Sequence, residues 1–149
     1  MEGCYVNMAA FCLGFVYRRE DGLAQASGLL TDLPMDFDEL PTGRLAEPVR
    51  KVVQLALGLS RAGAYPETVR LALHQVEPEA LLIHQEERRF GDAAASYISL
   101  RVSLPFREDG LHWYDLTIDG TPAARLVLAV YFRRRVDAPA RHPDAPGQL

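Results

Sequence analysis

Apolar residues recur at every second position along this chain, and that alternation limits what it can become. Successive side chains of a strand point to opposite faces, so a period of two sends one face to a core and the other toward solvent. Residues 49–61 show it plainly: Val53, Leu55, Leu57 and Leu59 share one face, and Gln54, Ala56, Gly58 and Ser60 the other. The pattern also sets Val69, Leu71 and Leu73 against Arg70, Ala72 and His74, and Ile98, Leu100, Val102 and Leu104 against Ser99, Arg101 and Ser103. No stretch keeps a 3.6-residue period long enough for a helix, although 42–50 is long enough for a short turn.

Eight strands are predicted, at about 8–18, 23–31, 49–61, 67–76, 81–90, 95–105, 111–119 and 124–133. Turn residues separate them, among them Glu20-Asp21-Gly22, Glu77-Pro78-Glu79, Glu108-Asp109-Gly110 and Asp119-Gly120. Strands of this kind each bury one face either as two packed sheets or as a closed barrel, and their number suits two sheets. The expected class is all-β, an antiparallel β-sandwich. A chain of 149 residues suffices for one domain burying roughly 70% of the surface its unfolded form exposes. The domain is placed at 1–135, and 136–149, with three prolines and few apolar residues, is expected to be a disordered tail.

The final strands bear a resemblance. GLHWYDLTIDG at 110–120 followed by ARLVLAV at 124–130 resembles the closing hairpin of small uncharacterised bacterial immunoglobulin-like β-sandwich domains. FCLGFVYRREDGLAQASGLL at 11–30, with a long loop before VVQLALGL, resembles their N-terminal part. The likeness implies an immunoglobulin-like fold and brings no catalytic residue.

Charge narrows the partners. The formal net charge is −4 and Lys51 is the only lysine; phosphate binding rests on a surplus of cations, so nucleic acid is not expected. Arg133, Arg134 and Arg135 read as a solvated strand end. Cys4 and Cys12 on one strand stand roughly 26 Å apart, too far for a disulfide, so reduced thiols and a cytoplasmic location are expected. The apolar start has Glu2 where a signal needs positive charge, and the run is too short to span a bilayer, so no membrane is implied.

Few residues suggest chemistry. In HWYD at 112–115 the alternation puts His112 with Tyr114 and Trp113 with Asp115, so His112 and Asp115 cannot meet locally. His74 and His84 flank one turn with Glu86 beyond, a set that could hold zinc or iron, or simply belong to a polar outer face. Residues 31–48 form either a solvated acidic loop or an interaction loop presenting Leu33, Met35 and Phe37. Glycine-rich phosphate loops, GxSxG, HExxH and CxxC are all missing, so no cofactor and no catalytic residue is assigned. Finally, Cys12, Gly14, Ala56 and Gly58 lie on faces without charge and would make a smooth outer surface. Either a second copy or the 31–48 loop would cover it. The reading is a non-catalytic protein-interaction or assembly module, a homodimer or a binder of another protein. A metal- or small-ligand-binding domain or an enzyme, built on His74, His84 and Glu86, is the alternative.

Overall fold

The computed structural model describes residues 3–18, 20–63, 66–90 and 95–136. From residue 137 onward the expected tail lies outside them. Nine strands form two sheets: β1 (Gly3–Arg18), β2 (Leu23–Leu29), β3 (Asp32–Phe37), β4 (Val49–Ala62), β5 (Thr68–Glu77), β6 (Leu81–Arg89), β7 (Ala95–Phe106), β8 (Gly110–Ile118) and β9 (Thr121–Arg134). The first sheet runs β2-β1-β4-β7 and the second β3-β9-β8-β5-β6.

The alternation works as expected. Leu55, Leu57, Leu71, Leu73, Leu100, Leu104, Leu116 and Leu128 all lie within the core between the sheets. Phe11 bridges it, its ring edge-on to Tyr114 with centroids 5.2 Å apart. His112, Tyr114, Leu116 and Ile118 point inward, and Trp113, Asp115 and Thr117 outward, as the period of two requires.

Asp119-Gly120 closes the β8–β9 hairpin. Both residues have positive φ, 49° and 82°, the geometry of a two-residue turn whose twist matches its strands. The Asp119 backbone N–H donates to the Arg70 carbonyl, and its carboxylate accepts the Arg70 N–H, both at 2.9 Å. The turn is thereby tied to β5.

One strand was not predicted. Residues 32–37 are not a loop but β3, the outer strand of the second sheet, parallel to β9. Leu33, Met35 and Phe37 point inward: Met35 is buried in the core, and Leu33 and Phe37 pack against it. Met35 therefore has no surface to present, and Leu33 and Phe37 are half-buried. Pro34, with no N–H to donate, is tolerated because β3 is an edge strand, and Asp36 pairs with Arg133 across the register.

Candidate functional site

The strand register separates the two histidines. Leu73 stands opposite His84, and after a bulge His74 stands opposite Leu82. Paired residues share a face, so His84 lies on the core side with Leu73, and His74 lies on the outer side, beside Asp115. Among the described residues no three His, Cys, Asp or Glu side chains gather as a metal set. His84 and Glu86 do meet, at 2.7 Å, but their companion is Arg88, 2.5 Å from Glu86. Burial alone would raise the Glu86 carboxyl; hydrogen bonds from His84 and Arg88 outweigh it and hold that carboxyl below its ordinary range.

This ladder marks an open seam. His84, Glu86 and Arg88 stand opposite Leu73, Leu71 and Val69, on the side where a closed sandwich would put apolar residues. They are polar because β6 and β7 are the outer strands of their sheets and do not pair with each other. HQEERR at 84–89 is polar at every position, and a strand that is polar on both faces cannot be buried on either. That was the signal in the sequence.

The smooth face is covered by the chain itself. Met8 pairs with Gly58 and Gly58 with Tyr97, so these three stand in one row. Tyr17 comes nine residues after Met8, about 30 Å away along a straight strand. Its ring nevertheless lies 5.5 Å from that of Tyr97. β1 must therefore curl back after Cys12, the last residue that pairs with β4. Leu13 then shares a depression with Val52, Gln54 and Arg101, on the outer side of the sheet. Cys12 and Ala56, on that same side, are 0% exposed, Gly58 is buried and Gly14 half-buried. At Gly58 a Cβ would stand 3.0 Å from the Tyr97 ring, a tight contact that this ring would have to shift to relieve. The residues expected to meet a second copy lie beneath β1's own end, and the 31–48 segment is not what covers them.

Two surfaces remain. On the outer face of the second sheet, Trp113 stands opposite Val127, Leu111 opposite Ala129, and Pro34 opposite Tyr131. Leu111, Val127 and Tyr131 are exposed at 57%, 39% and 54%. The Arg125–Asp115 ion pair bounds this apolar stripe on one side and Arg133–Asp36 on the other. The second surface is a groove of about 700 Å³ along the edge of β7 that has no strand partner among the described residues, lined by Phe15, Tyr17, Phe90 and Tyr97.

At one end of the sandwich a titratable group is sealed in. The segment before β4 is clamped there by Arg107, which donates to the Leu45 and Ala46 carbonyls, and by Arg44 and Arg107 on Glu79. His112 lies beneath, 1% exposed, its Nδ1 3.2 Å from the Gly110 carbonyl and its ring edge-on to Phe106. Burial lowers its pKa from 6.5, against the opposing pull of the Gly110 carbonyl and of Glu108 and Asp109. A histidine that resists protonation only when folded stabilises the fold fully above its unfolded pKa, and that stability is lost as pH falls below it. The urea midpoint should therefore drop between pH 7.5 and 5.5, and His112→Gln should flatten that dependence. An equal drop in the variant would assign it to other groups.

Comparison of the chain with protein-family models and with curated proteins finds no match.

Proposed function

We propose that this chain is a non-catalytic interaction or assembly module of the bacterial cytoplasm that pairs with a second copy of itself through the outer face of its five-stranded sheet. The observation that carries the reading is the stripe of exposed Leu111, Val127 and Tyr131 with half-buried Trp113 among them. Contiguous apolar surface rimmed by charge is a mark of association sites. A two-fold contact sets the same patch against itself. About an axis through the stripe, the Arg125–Asp115 pair of one copy would meet the Arg133–Asp36 pair of the other, with opposite charges free to alternate.

We further propose an immunoglobulin-like topology, which would favour an interaction role by analogy of fold alone. Its support is the strand order: β4-β7 in one sheet with β9-β8-β5-β6 in the other corresponds to strands B-E and G-F-C-C′ of that plan. The two thiols are consistent with a reducing compartment. Cys4 and Cys12 are both free, and burial raises the pKa of each, so neither is a ready nucleophile.

Native mass spectra of the chain at several concentrations test the pairing. A dimer is expected, and Val127→Arg should reduce it to a monomer while shifting stability by no more than about 0.5 kcal/mol, as for other exposed positions. A monomeric parent chain, or a variant that keeps the dimer mass, would overturn this interface.

A further inference from the structure

We propose that the groove along β7 binds an extended acidic peptide carrying an aromatic or large apolar residue, which adds to the four-stranded sheet as a further strand. The proposal rests on the interaction reading and gives it a partner class, at a surface separate from the apolar stripe.

The first ground is the edge itself. β7 pairs only with β4, so among the described residues the backbone groups on its other side have no strand partner. Such a row is a template for a strand from another chain, with the backbone giving affinity and side-chain pockets giving selectivity. β6, the strand across the seam, approaches β7 but is not hydrogen-bonded to it, and its core side carries the polar ladder of His84, Glu86 and Arg88.

The second ground is the lining. The groove, about 700 Å³, falls within the size range of specific ligand sites. Phe15 and Tyr17 come from the curled end of β1, Tyr97 from β7 itself, and Phe90 from the end of β6. An added strand turns alternate side chains to opposite sides, so one set would meet Phe15, Tyr17 and Tyr97, while Phe90 lies buried at the base, 8% exposed. The aromatic wall takes large apolar side chains.

The third ground is charge. Among the described lining residues Arg88 and Arg89 are the charged ones, and those described residues include no carboxylate. Glu86 and Glu67 hold these guanidinium groups from outside the groove, and the Arg89 side chain is still 75% exposed. Oriented, accessible cations beside a free edge select acidic segments. Aromatic rings with arginines also suit single-stranded nucleic acid, but a free strand edge has no use in that mode, and the chain carries a net charge of −4.

The test begins by selecting a phage-displayed library of random decapeptides on the full-length chain. Recovered peptides, labelled with fluorescein, are then titrated by fluorescence anisotropy, with a labelled oligothymidylate as the competing probe. Acidic peptides containing an aromatic residue are expected. Arg89→Glu should weaken them about tenfold or more, and methylating alternate backbone amides of the peptide should abolish binding. Arg89 is exposed, so its replacement should leave the urea midpoint nearly unchanged. Failure to enrich any sequence would overturn the proposal, as would peptides indifferent to Arg89→Glu and to N-methylation, or oligothymidylate that binds at the same groove. Val127→Arg separates this from the self-pairing reading: it should abolish the dimer and leave peptide affinity as it was.

Discussion

Ala56→Arg should destabilise the folded chain itself, beyond any effect on its association. Ala56 is 0% exposed, although it stands on the side of the first sheet that faces away from the core. Its neighbours in the row are Ala10 and Ser99, both small, and the curled end of β1 lies over that side. A guanidinium placed there must displace this cover or remain buried without a partner. Overpacking costs about 1 to 3 kcal/mol and a buried unpaired charge several more, so a loss of about 4 kcal/mol or more is expected. Against a total stability of about 5 to 15 kcal/mol for a domain of this kind, that removes about a quarter or more of the margin and lowers the urea midpoint accordingly. Urea denaturation followed by circular dichroism measures the loss. A variant with the parental midpoint and half the parental mass would instead mean that the face is an open interface between copies.

The second large effect falls on Phe11. Its ring spans the sheets to Tyr114, its carbonyl accepts the Leu30 N–H at 2.8 Å, and it stands just before the point where β1 leaves β4. Phe11→Ala should lower the unfolding free energy by about 3 to 5 kcal/mol, the usual loss for a buried phenylalanine. Leu13 is a sharp control. It shares β1 with Phe11 and follows it by two, so a straight strand would bury both. It is 67% exposed because the strand curls, and Leu13→Ala should change stability by no more than about 0.5 kcal/mol. Similar losses in the two variants would contradict the curl.

Those two residues show where sequence reading stops. Phe11, Leu13, Phe15 and Tyr17 form one apolar face by period, and nothing local distinguishes the first from the other three. The register does, because β1 pairs with β4 only as far as Cys12 and Gln54. In the same way, Leu33, Met35 and Phe37 alternate as a strand should, yet Pro34 and the surrounding acids gave the segment the composition of a loop. Arg133, 97 residues away from Asp36, supplied the missing partner for its charge. The placing of His74 and His84 turned on a bulge of a single residue in β5–β6 pairing. A one-residue slip exchanges faces, and no turn motif announced it.

The sequence by itself determined the class of structure: an all-β chain, the approximate limits of eight strands, the inward side of those at 49–61, 67–76, 95–105 and 111–119, and the Asp119-Gly120 hairpin. These are local properties, set by the pleat and by which residues tolerate positive φ. Only the tertiary structure decided which strands are edges, where β1 bends, which outer face stays bare and which is covered by its own chain. Those outcomes depend on pairings between residues far apart in sequence, where backbone hydrogen bonds are much the same for any side chain and carry no local mark. The candidate surfaces, the Leu111–Trp113–Val127–Tyr131 stripe and the β7 groove, both arise at that level.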